Sequence, residues 1–433
     1  MSDISTNPPI GMRDFLAKDM IKREYVVNKI KEVFERFGFD PWETPAVERL
    51  EVLQGKYGEE EKLIYKFQDL GGRWLALRYD LTVPLARVVA RFPQLPKPIK
   101  RYQISRVWRY ERKQKGRYKE FWQCDVDIVG SSRMIADAEI VSIVYKVLKK
   151  LGFEEFNIRI NNRKILSAIV RISGVDKSKV LDAFRSIDKL DKVGIEGVRK
   201  ELKARGIKDD SVEKLVEFIS IKGNAERVLS EVESLVKKDE EGLKGVEELK
   251  ELLSYLPDFR VKKGFYSVDL SLVRGLDYYT GPIFETVVTK PKIGSISGGG
   301  RYDNLISLFA GTRIPAVGVS FGLERIIDVM EELNMIKTPQ TKTDVFVACV
   351  EESLIKNAIK ICDFLRENGV NCQMDLMGRK LSKQLEYVDS KGIPYAVIIG
   401  KAEVEKGLVK LKDMKTRSEE LLKLEDVPKK IKV

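Results

Sequence analysis

The 433-residue chain contains no histidine. That absence removes His-based general acid–base catalysis, Ser–His and Cys–His nucleophile pairs, and every zinc site with an imidazole ligand. Cysteine is scarce. The four residues Cys124, Cys349, Cys362 and Cys372 show no CxxC spacing, so neither a zinc ribbon nor a disulfide framework is expected. No apolar run approaches the roughly 20 residues a membrane helix needs. The opening MSDISTNPPIGMRDF also lacks the apolar stretch of a signal peptide. The expectation is a cytoplasmic protein with no membrane association and no zinc. Its chemistry must run on Arg, Lys, Asp, Glu, Tyr or a soluble metal ion.

What is present is globular in kind: 43% hydrophobic and 33% charged residues. The length implies about two or three domains. A net charge of +12 favours a polyanionic partner, although excess lysine also serves as a solvated surface. Residues 18–37 repeat apolar positions at helical spacing up to Gly38, and FDPWETPAVE then reads as an extended segment because proline disfavours helix. From Ile99 to about Gly130 the period becomes two. In KRYQISRVWRYE, residues Gln103, Ser105, Val107, Arg109 and Glu111 share one face; in FWQCDVDIVG, Gln123, Asp125 and Asp127 do. Joined by RKQKGRYK, the two stretches make an antiparallel hairpin with one wet, functional-looking face. Residues 176–257 are helical in pattern and Lys/Glu-rich. FYSVDLSLV, PIFETVV and PAVGVSF are strand candidates, NMIKTPQTKT is a linker, and the remainder alternates strand and helix as a small α/β domain.

Arginines stand at intervals that local stability does not explain. Arg109 and Arg117 flank the hairpin turn, and Arg274 ends an apolar run in LVRGLDYYTG. Arg325 falls in the first turn of a helix, where a cation opposes the macrodipole and a bound anion would justify it. Guanidinium offers a planar fork matched to carboxylate or phosphate oxygens. The local alternatives are surface ion pairs, Arg274 with Asp277 and Arg325 with Glu331 or Asp328. Converging arginines suit transfer at phosphorus, which needs no histidine. Gln123, Asp125 and Asp127, with Asp80 and Thr82 of LRYDLT, add acceptors for a small zwitterion. SGGGRYDNL either permits close backbone approach to a ligand or is a simple turn.

GMRDF, FDPWETP, VWRYERKQKGRYKEFWQCDVDIVG, LVRGLDYYTG, GGGRYDNL and AVGVSFGLERI together resemble the histidyl-tRNA synthetases, class II aminoacyl-tRNA synthetases, over nearly the whole chain. The hairpin resembles motif 2, AVGVSFGLER motif 3, and the first helix with the Pro45 strand motif 1 at a homodimer interface. The resemblance implies an α+β fold: a class II antiparallel sheet flanked by helices, a helical insertion and a C-terminal α/β anticodon-binding domain. The implied boundaries are core segments at 1–175 and 258–333, the insertion at 176–257, a linker at 334–343 and the anticodon-binding domain at 344–433.

It also implies substrates, ATP with Mg²⁺, L-histidine and its tRNA. Arg109, Glu111, Arg117 and Arg325 would bind ATP, and Arg109 and Arg274 would be catalytic, the latter at the α-phosphate and histidine carboxylate. Asp80, Thr82 and Gln123 would hold the ammonium; Asp127, Tyr278, Tyr279 and Tyr302 would form the side-chain pocket. Lys113, Gln114, Lys115 and Lys119 would meet the acceptor stem. Asp80 and Asp127 stand where many relatives have Glu, and Tyr110 and Trp122 where relatives often show His. The alternative is a non-catalytic synthetase-like regulatory subunit of ATP phosphoribosyltransferase, a class that lacks the anticodon-binding domain and tends to lose the arginines.

Overall fold

The alternating stretches pair as a hairpin, Ile99–Trp108 antiparallel to Glu120–Val129, with Arg101 opposite Asp127, Gln103 opposite Asp125 and Ser105 opposite Gln123. The computed structural model describes residues 5–111, 116–274, 278–291 and 293–431. The hairpin's polar face is not wet as expected, because Gln103, Ser105, Gln123, Asp125 and Asp127 are all buried. Glu43 of the proline-punctuated segment covers part of it. Its carboxylate accepts from Gln103 Nε2 at 3.2 Å and from Ser105 Oγ at 2.5 Å, so these buried groups are satisfied.

The hairpin belongs to an eight-stranded sheet. Its spatial order is Asp40–Pro41, Ile99–Trp108, Glu120–Val129, Ala316–Gly322, Ser295–Arg301, Pro282–Val288, Phe156–Asn162 and Tyr266–Val268. The two outermost pairings are parallel and those between are antiparallel. SISGGGR is therefore a central strand, and the turn alternative for the glycine run falls. Helix Met134–Leu151, buried along most of its length and ended by Gly152 in the left-handed region at φ 96°, packs on the sheet. Its Asp137 pairs with buried Arg301, which also reaches Asp303 at 3.2 Å, and this pins the strand end that carries Tyr302.

Between the parallel neighbours Phe156–Asn162 and Tyr266–Val268 the chain runs through helices Val180–Ile187, Leu190–Ala204, Asp209–Ile219, Ala225–Val236 and Glu240–Tyr255. Each buries one apolar stripe, such as Val228, Leu229, Val232 and Val236.

The chain divides into two compact units, Val26–Met335 with the residues up to Arg13, and Ile336–Val433 with Asp14–Tyr25. The second unit has its own sheet, in the order Cys372–Met374, Val345–Cys349, Tyr395–Ile399, Leu408–Asp413 and Glu419–Lys423. Its first three strands are parallel, as the strand–helix alternation predicts, and an antiparallel hairpin extends them. Alternate residues of Val345–Cys349 feed two cores, Val345 and Val347 beneath helix Ile355–Glu367, Phe346 and Ala348 beneath helix Leu381–Lys391. No helix among the described residues is long and apolar enough to cross a membrane.

Candidate active site

Strand geometry decides which side chains meet. Gln123, Asp125 and Asp127 project from one face of their strand, and the neighbouring strand presents Gly318 and Ser320 beside them. They open into a cavity of about 310 Å³ whose lining includes Asp80, Thr82, Arg109, Glu111, Arg117 and Arg274. Tyr278, Tyr279, Tyr302 and Arg325 line it too. Thus every sequence-expected residue that the structure describes, Lys119 excepted, faces one cleft. Lys119 instead sets its ammonium 3.9 Å from the centre of the Tyr110 ring. Lys113, Gln114, Lys115 and Asp277 lie outside the described residues.

One part of the cleft is rich in acceptors. Asp80, just before helix Thr82–Arg91, accepts from Tyr57 Oη and from the Val83 N–H, both at 3.0 Å to Oδ1, while its buried Oδ2 has no partner among the described residues. Gln123 donates to Ser320 Oγ at 2.9 Å and leaves its buried Oε1 unfilled. Buried acceptors are costly unless met, so these two suit a ligand bearing N–H donors. Asp127 takes the Tyr302 hydroxyl at 2.5 Å and lies 2.9 Å from Arg101 Nη2. Burial raises its carboxyl pKa and Arg101 opposes the rise. A Cβ at position 318 would come within 1.9 Å of Asp127 Oδ1, so only glycine leaves that carboxylate its place.

Asp125 behaves differently. Burial, then the neighbouring Asp127 carboxylate, pushes its pKa from 3.8 to about 7. A carboxyl whose folded pKa is raised binds its proton more tightly folded than unfolded, so stability falls as pH rises from 3.8 towards about 7. Asp125→Asn should therefore lose less stability between pH 5 and pH 8 than the parent chain, read from urea midpoints. An undiminished loss would assign the titration to another group.

The cationic part is built from arginines held open. Arg109 donates Nε to the Tyr79 carbonyl at 3.1 Å and stacks 4.3 Å from the Tyr79 ring centre. Arg117 reaches Glu111 at 3.3 Å. Arg325, at the start of helix Leu323–Glu332, donates to the carbonyls of Gly116 at 3.3 Å and Ser295 at 2.6 Å, and among the described residues no carboxylate pairs with it. Burial and the nearby Arg117 push its pKa below the ordinary arginine value, the setting in which an anion is welcome. Arg274 has φ of 65°, a region L-residues avoid, and its Nη1 lies 3.2 Å from Glu285 Oε1. A Cβ at position 298 would approach Arg274 Nη1 to 2.2 Å, so the glycine strand makes room for the guanidinium.

Sequence reasoning did not single out Arg101, Glu285 or Asp188, yet Arg101 underlies Asp127, and Glu285 and Asp188 line the cavity. Arg101 shares the period-two face of Gln103 and Arg109, a signal present in the sequence. Glu285 is the one charge in PIFETVV. Asp188 follows a helix of the lysine-rich segment and carries no local signal.

Residues 11–326 match the family profile for histidyl-tRNA synthetase, and residues 344–433 that for an anticodon binding domain. A histidine–tRNA ligase of Aeropyrum pernix is 46% identical, covering 93% of this chain and 92% of its own; that of Gloeobacter violaceus is 40% identical, covering 96% of each. The crystal structure of histidyl-tRNA synthetase from a Nostoc species superposes with a TM-score of 0.87 at 32% identity, covering 99% of both chains. An ATP phosphoribosyltransferase regulatory subunit/histidyl-tRNA synthetase from Bacillus halodurans shares the fold, with a TM-score of 0.77 at 23% identity, covering 92% of this chain and 99% of its own. A family profile spanning most of the chain, together with near-full-length relatives at these identities, means that the chain belongs to the histidyl-tRNA synthetase family.

Proposed function

We propose that the chain catalyses ATP-dependent attachment of L-histidine to its cognate tRNA. The observation that carries this reading is one cleft furnished both with arginines open to phosphate oxygens and with buried carbonyl and carboxylate acceptors left unfilled. Arg109, Arg117 and Arg325 take the ATP phosphates, with Glu111 near the adenine. The substrate ammonium lies against Asp80, Thr82 and Gln123, and the imidazole nitrogens against Asp127 and Tyr279. Tyr302 closes the pocket beside Tyr278. Arg274 spans the histidine carboxylate and the α-phosphate. A carboxylate oxygen attacks the α-phosphorus, the bond to the bridging oxygen breaks, and pyrophosphate leaves histidyl-adenylate behind. A hydroxyl at the 3′ end of tRNA then attacks the acyl carbon and AMP departs. Mg²⁺ bound with ATP would supply charge neutralisation at phosphate oxygens.

A chain without histidine has no imidazole general base for either step. Positioning and neutralisation of negative oxygens carry the first. Lys113, Gln114, Lys115 and Lys119 meet the acceptor stem through salt-sensitive phosphate contacts, and residues 344–433 read the anticodon. The protein works as a cytoplasmic homodimer joined through motif 1. The regulatory-subunit reading is disfavoured by the matched anticodon binding domain and by the retained arginines.

Histidine-dependent exchange of pyrophosphate into ATP, with other amino acids as controls, tests the assignment, and exchange at background level would remove it. Cutting the chain after Met335 should leave that exchange largely intact and weaken tRNA charging. Full charging by the folded shorter chain would take the RNA-binding role away from the C-terminal unit.

A further inference from the structure

We propose that Arg159 is a positioning residue for Arg274, acting through Glu285, and that Asp191 makes its setting depend on the helical segment. The proposal rests on reading Arg274 as the arginine of adenylation. Glu285 is shared between two guanidinium groups: its Oε1 lies 3.2 Å from Arg274 Nη1 and its Oε2 lies 3.5 Å from Arg159 Nη1. An arginine alone with a carboxylate tends to close into a two-pronged pair, which occupies donors on one edge of the guanidinium. Here Arg159 draws the second oxygen aside. Arg274 therefore keeps donors for substrate oxygens, and its buried Nε has no partner among the described residues.

Arg159 can compete for Glu285 because it is firmly anchored. Its Nε donates to Asp269 at 2.8 Å, Nη1 to Asp191 at 2.6 Å and Nη2 to Ser271 Oγ at 3.2 Å. Burial alone would raise the Asp269 carboxyl, but Arg159 and Ser271 overcome it and hold the pKa at about 2. Sheet register fixes the arrangement, since Arg159 pairs directly across from Glu285. The same strand, and the residue after it, also hold the chain that leads into Arg274. Asn161 Nδ2 donates to the Leu272 carbonyl at 2.9 Å and Arg163 to that of Val273 at 3.4 Å, immediately before the positive φ of Arg274. A strained residue keeps its conformation only when its surroundings over-determine it.

Asp191 belongs to helix Leu190–Ala204, and its side chain is 65% exposed. It is the direct contact to Arg159 that the helical segment can make or release, Lys222 reaching Asp269 at 3.1 Å beside it, and Asp188, three residues earlier, lines the cleft of Arg274. A shift of that segment would redistribute the partners of Arg159 and, through Glu285, re-aim Arg274.

The test uses the full chain and single-turnover adenylation. Arg159→Met should slow the rate constant about tenfold with KM for histidine and for ATP within about threefold, and Arg159→Lys should recover part of the loss. Combined with Arg274→Lys, it should add no more than about twofold, because both changes remove one interaction. Additive losses, or a wild-type rate for Arg159→Met, overturn the proposal. Should that variant not fold, Asp191→Asn on the exposed partner takes its place, with an expected slowing of about threefold at unchanged KM, and no slowing counts against the proposal. A wild-type rate for Arg274→Lys overturns both this proposal and the reading beneath it, whereas a slow Arg274→Lys with a fast Arg159→Met overturns the proposal alone.

Discussion

Arg274→Lys is expected to lower the adenylation rate constant by at least about tenfold, roughly 1.4 kcal/mol, with much smaller changes in the binding of histidine or ATP. Lysine keeps the charge and loses the fork. The guanidinium sits in a seat shaped for it: glycine at 298 leaves its volume empty, and Glu285 holds one prong while Nε has no partner among the described residues. In the proposed role, contacts to a carboxylate nucleophile and an α-phosphate would gain most as charge redistributes between them, so their loss would fall on the rate and spare the ground state. An arginine that merely closed a surface ion pair would behave otherwise, since lysine replaces it at a cost under about 1 kcal/mol. Single-turnover measurement on the folded variant separates the two, and a near wild-type rate retires the catalytic role.

A second large effect is expected at Asp127, on substrate binding. If Asp127 accepts from bound imidazole, as proposed, its removal leaves that donor unmatched, at roughly 1 to 3 kcal/mol, and the histidine requirement of Asp127→Ala should rise about tenfold or more with little change for ATP. The alanine variant carries a further penalty. Arg101 is fully buried, and Asp127 is the carboxylate beside it, so truncation strands a charge at about 3 to 5 kcal/mol of stability. Asp127→Asn also leaves Arg101 without its carboxylate, but it keeps the shape and so avoids the cavity that alanine opens. Equal losses for both substrates in the asparagine variant would move residue 127 out of the side-chain pocket.

The residues that proved legible are those whose placement is local. Period-two alternation puts Gln123 and Asp127 on one face whatever the rest of the sheet does, and the same rule reaches Arg101 two residues before Gln103. Arg325 announces itself by standing in a helix's first turn, against the dipole. What stayed hidden depends on which strands become neighbours. Arg159 and Glu285 are separated by 126 residues and meet only because their strands pair. The glycine run looked like a turn because glycine is a poor strand former. Its strand is set by flanking pairings to Pro282–Val288 and Ala316–Gly322 that a local window does not contain. Polar residues in a strand likewise suggest a solvated face, whereas here they are buried beneath Glu43 and around a cleft.

Gly298, Gly299 and Gly318 lie side by side on two paired strands, and a Cβ on any of them would run into Arg274 Nη1, the Gly318 carbonyl or Asp127 Oδ1 at 2.2, 2.0 and 1.9 Å. That part of the cleft is consequently bare peptide, and it is closed to evolutionary tinkering: every side chain that could reshape it first dislodges a guanidinium, a strand or a carboxylate. On the proposed function, substrate preference is then set along the walls, where Asp80, Gln123, Asp127 and Tyr302 carry the side chains that face the cavity. Attempts to re-engineer the pocket for another amino acid should start from those walls and treat the glycine strands as a fixed datum.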